Sequence, residues 1–507
     1  MSLKQHVVDV LANGEPLAVP AIMRALKQRG GYGVSRSQVE RLLGTDPQFV
    51  QDGTVAKPLW RFDGDVAPVA VRRELPPLWQ WQTDALLAWS QTCSGVIEAV
   101  TGTGKTRVAL AAIMTVLGQG GRCLVLVPTT ELVAQWEREV KRLLPDVAVG
   151  RLGAGGDDDL FACEVLIATA TSASTLPVDL PPDTPGLVVA DEVHRFGAAT
   201  WSHALPDAFS LRLALTATLE RDDDGVDAHL TPYFGPRVFA YDFAAAAKDG
   251  VIAPFRVAFV PVVFTANEQQ AYDTAKARVT NAHRALRKAT TMPRDPHAFF
   301  RSVTALVAEA ERRGHDTPAA KLAREYLYWV RQRRDVYATA KNKYAALAAL
   351  SPALVDRRTL VFTDTVEQAE EAARLARAHG VVAETLHGEL DDKKRAVRMA
   401  AFRTGRTSMI VAPRVLDEGV DVPDADVAVV LAAFQTRRQM VQRLGRIVRR
   451  KDDGREATLV VVYVKDSRED PAHGGYHEFV ELVTKAATEV SHPAQLETVL
   501  SRLNPEN

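Results

Sequence analysis

Short, uninterrupted apolar runs recur through two stretches of this 507-residue chain. The first stretch carries CLVLVP (123–128), VLIAT (165–169), GLVVA (186–190) and LALTA (213–217). The second carries TLVFTD (359–364), SMIVAP (408–413), VAVVLAA (427–433) and TLVVVYV (458–464). Each run is strand-sized and apolar on both faces, the pattern of a parallel strand covered above and below. Helical stretches lie between the runs, so the rhythm predicts two α/β halves, about 75–264 and 351–465, with right-handed crossovers. Residues 266–350 break that rhythm with three long helical patterns, 271–289, 299–313 and 319–350.

Residues 1–65 read as a separate module. Val7, Val8, Val10 and Leu11 predict one short helix, and Ile22 and Leu26 predict a second behind Pro20, which suits a first helical turn. Ser35 is placed to cap a third helix, SRSQVERLLG, that Gly44 would end. FVQDG and PLWRF follow as strands around a turn near Asp52–Gly53. Three helices and a hairpin predict a winged helix, with Arg36, Gln38 and Arg41 on the helix that would meet a DNA groove. The competing reading is a protein-docking module or a structural cap, since the segment's charges nearly cancel. Residues 66–75 read as a linker, and 466–507 as a tail that begins polar and becomes an amphipathic helix packed on the second half.

Composition is that of an ordinary globular protein, 47% hydrophobic and 25% charged, and the length suits three or four domains. Net charge is −1, so any footprint for nucleic acid has to be local. Between 270 and 345 there are 16 Lys and Arg against seven Asp and Glu. Arg331, Arg333 and Arg334 stand there among Tyr326, Tyr328, Trp329 and Tyr337, a mixture suited to tracking a phosphate backbone. The aromatic residues are expected to pack the helices together rather than stack on bases. Cys93, Cys123 and Cys163 have neither disulfide nor metal spacing, and no apolar run is long enough to cross a membrane. The start of the chain lacks a secretory pattern, so a reducing, cytoplasmic setting is expected. Oligomeric state is not encoded in any of these patterns.

Three strings carry chemistry. AVTGTGKT at 99–106 is a relaxed P-loop: Thr101, Gly102, Thr103 and Gly104 form a turn whose backbone N–H groups can face phosphate oxygens. Lys105 would reach the β- and γ-phosphates of ATP, and Thr106 would hold Mg²⁺. GLVVADE reads as a buried strand delivering Asp191 and Glu192 at its carboxyl end, where open α/β sheets bind ligands. Asp191 suits Mg²⁺ held through water, and Glu192 suits the orientation and deprotonation of an attacking water. QRLGRIVRR at 442–450 places Arg446 and Arg449 on one helical face, suited to neutralising charge on a transferring phosphoryl group.

With these strings the chain resembles a superfamily 2 helicase of the DExH type, its box spelled DEVH from Asp191 to His194. LWQWQ (78–82) resembles the Q motif, which implies that Gln82 reads the adenine edge; Trp79 or Trp81 would either stack on the base or pack in the core. LVPTTELVAQW (126–136), RLGAGG (151–156) and IATATS (167–172) resemble backbone-contacting motifs, which implies nucleic-acid roles for Thr129, Gly153, Thr169 and Thr171. LTATLERDDDG (215–225) resembles the motif that couples the halves, implying coupling roles for Thr216 and Thr218 with His194 and Gln442. LVFTDTVEQAE, LHGEL and VAPRVLDEGVDVPDADVAVVL resemble motifs of the second half and place Gly419 and Asp421 beside the ribose. The wording is closest to the branch of XPB-like DNA helicases and type III restriction motor subunits, although Leu219 and Pro413 depart from the usual residues. The resemblance implies two RecA-like parallel-sheet domains, an N-terminal winged-helix-like module and a basic, thumb-like helical insertion. Its implied activity is ATP-driven movement along or unwinding of DNA, bound without sequence preference, with protein partners possible through residues 1–65. An RNA helicase and a DNA-binding scaffold with an inactive motor are the alternatives.

Overall fold

A computed structural model describes residues 3–12, 15–28, 36–45, 48–54, 57–63, 75–219, 221, 223–413, 425–432 and 456–503. Its contacts divide the chain into two compact units, one running to Asp242 and the other from Phe243 onward.

At the start of the first unit, helices Leu3–Leu11, Val19–Gln28 and Arg36–Thr45 precede an antiparallel hairpin, β1 (Phe49–Thr54) and β2 (Lys57–Phe62). Val7, Leu11, Ile22, Leu26, Val39, Leu43 and Phe49 form a core of their own. Leu17 adds a bridge that sequence reading does not anticipate, exchanging two backbone hydrogen bonds of 2.9 Å with Trp60. The hairpin turns later than expected: Gly53 pairs with Pro58, so Asp52–Gly53 lies within the strand. Ser35 and the side chains of Gln38 and Arg41 lie outside the described residues.

The larger sheet of this unit has β3 (Ser94–Ala99), β4 (Arg122–Val127), β5 (Val149–Gly153), β6 (Gly156–Asp157), β7 (Val165–Thr169), β8 (Gly186–Ala190), β9 (Leu211–Thr216) and β10 (Arg237–Tyr241). Their order is β10-β3-β9-β8-β4-β7-β5-β6, parallel throughout except for β5–β6. Strands β4, β7 and β8 are almost wholly buried, which accounts for their unbroken apolar runs.

The second unit contains β11 (Phe255–Val262), β12 (Thr359–Thr363), β13 (Ala383–Thr385), β14 (Met409–Pro413), β15 (Val427–Val430), β16 (Ala457–Val464) and β17 (Glu489–Ser491). They form one parallel sheet in the order β13-β14-β12-β15-β16-β11-β17. Strand β11 therefore leaves the half to which its position in sequence assigned it, and pairs with β16 over its full length. An apolar strand carries no mark of the sheet it will join; only long-range pairing decides. The tail contributes β17 and packs Ala494, Val499 and Leu503 into the second core.

The insertion leaves this sheet after β11 as helices Ala266–Ala289, Pro296–Arg313, Pro318–Ala338 and Lys341–Leu350. The first opens with a reciprocal cap between Thr265 and Glu268. The third sequence pattern is two helices rather than one. The chain breaks at Thr339–Ala340, where the Lys341 N–H turns to the Glu268 carboxylate at 3.0 Å. Phe299 and Tyr326 lie 5.5 Å apart between helices, and burial pushes the Tyr337 phenol up to about 12, so these rings pack the helices together. Tyr328 remains exposed.

Candidate active site

The chemistry-bearing strings of the first unit fall on one edge of its sheet because each follows a parallel strand. The P-loop follows β3, Thr216–Thr218 ends β9, Asp191–Glu192 follows β8, Thr129 follows β4, and Thr169 ends β7. Since β3, β9, β8, β4 and β7 are consecutive neighbours, the P-loop and the acidic pair flank Thr216–Thr218 on one part of the edge, and Thr129 and Thr169 occupy the next.

The P-loop passes from β3 into helix Lys105–Gly118 through Gly102 and Gly104, both left-handed with φ near 89° and 88°. A Cβ on Gly104 would lie 2.9 Å from Gln82 Nε2, so glycine serves both conformation and space. Lys105 Nζ donates to Ala99 O at 2.7 Å. Burial pushes its ammonium below the ordinary range, opposed by Glu192, Asp191 and Glu98. Thr103 Oγ1 donates to Val100 O at 2.8 Å, while Thr101 Oγ1 is buried without a hydrogen-bond partner. A cradle of left-handed glycines, a desolvated cation and an orphaned hydroxyl, with two carboxylates near the cation, fits a magnesium-bound triphosphate.

Gln82 is buried and works on the loop itself. Its amide nitrogen donates to Thr103 O and Gly104 O at 3.3 and 3.2 Å, and its oxygen accepts from Trp79 N at 3.0 Å. Reading an adenine edge would require it to exchange these partners. Trp81 is a core residue, stacked on Tyr241 at 4.6 Å, which leaves half-exposed Trp79 as the ring open to a base.

Asp191 and Glu192 sit at the turn after β8, with Glu192 in the left-handed region at φ 50°. A non-glycine residue held there signals a surrounding that over-determines its placement. Asp191 Oδ2 accepts from the buried Trp136 Nε1 at 2.9 Å, and Oδ1 from Glu192 N at 2.9 Å. Sequence reading passed over Trp136, although it closes the string that begins with the strand before Thr129. His194 Nδ1 lies 3.1 Å from Thr216 Oγ1 and 3.5 Å from Glu192 Oε2. The Thr216 hydroxyl gives its proton to Thr218 O at 2.6 Å, so the proton between His194 and Thr216 belongs to the imidazole. Arg221, also unanticipated, donates to His194 O and grips Asp223, whose carboxyl that guanidinium holds down at about 2. His194, Thr216 and Thr218 thus form a hydrogen-bonded run across β8 and β9, with the Glu192 carboxylate 3.5 Å from the His194 ring.

The nucleic-acid candidates are placed unevenly. Thr129 and Thr169 are helix caps, accepting from Leu132 N at 3.4 Å and Ser172 N at 3.1 Å, so their hydroxyls already have local work. Gly153 is left-handed and so close to Ser172 Oγ that an added Cβ would lie 2.1 Å away. Thr171 is exposed. Of Arg331, Arg333 and Arg334 in the insertion, Arg331 stands well out, 80% exposed. Arg334 is engaged internally with Asp364, and Arg333 buries its Nε without a hydrogen-bond partner while its charge acts on Tyr272, Tyr326 and Tyr337. Nearness in sequence had grouped the three arginines, but packing separates them. Exposed cations nearby include Lys276, Arg284, Lys288 and Arg301. Gly419, Asp421, Gln442, Arg446 and Arg449 lie outside the described residues.

Family models match on both halves: type III restriction enzyme, res subunit, over 76–221, and helicase conserved C-terminal domain over 342–451. Among solved structures, S. cerevisiae Dbp5 bound to RNA and ADP BeF3 superposes with a TM-score of 0.53 at 13% identity, covering 84% of this chain and 93% of that one. The Pyrococcus furiosus Hef helicase domain gives 0.51 at 16% identity, covering 78% and 98%. These likenesses, with the P-loop and the acidic box at one sheet edge, define a superfamily 2 helicase fold.

Among curated proteins, the DNA 3'-5' translocase XPB2 of Sulfurisphaera tokodaii is 31% identical over 79% of this chain and 84% of its own length. The DNA 3'-5' helicase XPB of Mycobacterium tuberculosis is 26% identical over 80% of this chain and 64% of its own. The chain belongs to the XPB-like family of superfamily 2 helicases.

Proposed function

We propose that this protein is an ATP-dependent DNA translocase or helicase, with ATP held at the P-loop edge and a DNA backbone held along the neighbouring threonine edge and the basic insertion. The observation that carries the reading is the hydrogen-bonded run His194–Thr216–Thr218, with Glu192 3.5 Å from His194, beside a desolvated Lys105. Lys105 and the P-loop N–H groups bind the phosphates, Thr106 and Asp191 hold Mg²⁺, and Glu192 takes the proton of the attacking water. Mg²⁺, when bound, supplies charge neutralisation on the phosphate oxygens. Arg446 and Arg449 supply further positive charge, and Gly419 and Asp421 meet the ribose. The imidazole of His194 and the hydroxyl of Thr216 relay the state of Glu192 along the edge.

DNA rather than RNA is favoured by the relatives' being a DNA 3'-5' translocase and a DNA 3'-5' helicase, and by the N-terminal topology. Leu17, between the first two helices, bridges to the last strand of the hairpin, the strand arrangement of a winged helix. A protein-docking role for residues 1–65 remains the second reading, because Arg36, an exposed cation of the third helix, is already paired with Glu40 at 2.8 Å. Cys93, Cys123 and Cys163 are free, and burial pushes the Cys163 thiol up to about 12, which suits a reducing, cytoplasmic compartment. Among the described residues no helix is long and apolar enough to cross a membrane.

The test is steady-state ATP hydrolysis with single-stranded DNA, duplex DNA and RNA. Stimulation by DNA above RNA is expected; stimulation by RNA alone would replace the reading with an RNA helicase, and no hydrolysis at all with a scaffold. A narrower expectation concerns Trp136. Trp136→Phe keeps the ring and removes the N–H that orients Asp191, so the Mg²⁺ needed for half-maximal turnover should rise about 10–100-fold. An unchanged Mg²⁺ titration would remove Asp191 from the metal site.

A further inference from the structure

The insertion meets the second sheet through charged side chains at places where apolar packing would have sufficed. Lys343, in helix Lys341–Leu350, is completely buried. Its Nζ lies 2.6 Å from Glu469 Oε1 and donates to Leu431 O at 2.9 Å. Glu469 is buried as well and accepts the Val464 N–H at 2.8 Å. Burial pushes the ammonium down and the carboxyl up, and each charge opposes the other's loss. One helix earlier, Arg334 bonds Asp364, whose N–H is in turn fixed by Gln368 Oε1 at 2.8 Å.

These partners occupy equivalent places. Asp364 immediately follows β12, Leu431 immediately follows β15, and Val464 is the last residue of β16. The three strands are consecutive in the sheet, so two cations of the insertion pin the carboxyl ends of three adjacent strands. Stability is a weak account of such an arrangement, since a buried ion pair typically holds a fold no better than apolar residues of similar volume. What it adds is direction: the ammonium fits only where a carbonyl and a carboxylate converge. From Leu431 the chain runs on in sequence toward Gln442, Arg446 and Arg449.

We infer that Lys343 with Glu469, and Arg334 with Asp364, are positioning residues that carry the nucleic-acid occupancy of the basic insertion to the carboxyl edge of the second sheet, from which the chain runs on in sequence toward Arg446 and Arg449. The inference rests on the reading of this chain as a nucleic-acid-stimulated motor. DNA gripped by the exposed cations loads the insertion helices, and the two struts convert that load into a shift of the strand ends they hold. Loss of the struts uncouples stimulation without removing either binding site.

The experiment compares ATP turnover with and without saturating oligodeoxythymidine, together with oligodeoxythymidine affinity by fluorescence anisotropy, in the full chain. The variant Lys343→Met/Glu469→Leu removes both charges, so neither is stranded in the core. Asp364→Asn, at the less buried strut, serves as a second variant that perturbs the fold less. In each, the ratio of stimulated to unstimulated turnover should fall by roughly three- to tenfold while oligonucleotide affinity is kept. A wild-type ratio in Asp364→Asn, or in a double variant that unfolds as cooperatively as the parent, overturns the inference. So does a fall in ratio fully explained by weaker oligonucleotide binding, because the residues would then hold the track rather than couple it. Absence of stimulation in the unaltered chain would remove the motor reading itself; stimulation there with unchanged variants removes the coupling alone.

Discussion

Glu192→Gln is expected to bind ATP about as well as the unaltered chain and to hydrolyse it roughly 10²–10⁴-fold more slowly, the contribution of a positioned general base. The substitution preserves shape at a residue held in the left-handed region and set 3.5 Å from His194, so the loss falls on chemistry rather than on folding. Lys105→Ala is the counterpart with the opposite signature. Its ammonium is desolvated and spends a hydrogen bond on Ala99 O, a bond it can trade for phosphate oxygens. Removing it should abolish tight nucleotide binding. Single-turnover hydrolysis and direct nucleotide titration separate the two. Robust DNA-stimulated turnover by Glu192→Gln would sink the assignment of the base.

Arg446→Ala should cost about 10³–10⁵-fold in turnover, the range for an arginine that neutralises charge on the transferring phosphoryl group. Nucleotide affinity should change far less, because charge spreads onto the γ-phosphate oxygens as the bond breaks. Arg449→Ala, three residues on, should be severe if both arginines act on the phosphoryl group, and mild if Arg446 acts alone. A variant of Arg446 with near-normal turnover and normal stimulation would move the role to Arg443, Arg449 or Arg450.

Much of the site is local in sequence and was legible for that reason. A glycine-rich turn between strand and helix binds phosphate through its own backbone, so AVTGTGKT carries its chemistry wherever the fold puts it. The strand GLVVA is buried on both faces, so the carboxylates after it had to emerge at a sheet edge. Trp136 was not legible in the same way. A tryptophan on a helix reads as core, and it is core; its role depends on a carboxylate 55 residues away in sequence. Gln82 was legible as a functional position, but its present partners, the carbonyls of Thr103 and Gly104, appear only when the helix and the loop are brought together.

The sequence by itself determined the local units: unbroken apolar runs that become buried parallel strands, the P-loop, the acidic box, the arginine string and the helix-rich, cation-rich insertion. These follow from periodicity, backbone permissiveness and charge, which act over a few residues. Tertiary structure alone decided which sheet each strand joined, as with Phe255–Val262 pairing into the second sheet rather than the first. It also decided which arginines of one helix face water, leaving Arg331 exposed while Arg334 turns to Asp364. Lys343 is the clearest instance, a lysine in a short alanine-rich helix that finds Glu469 and the Leu431 carbonyl only across long stretches of chain. Strand partners and buried charges are settled by groups distant in sequence, since neither an apolar run nor a lone cation specifies the neighbour that will satisfy it.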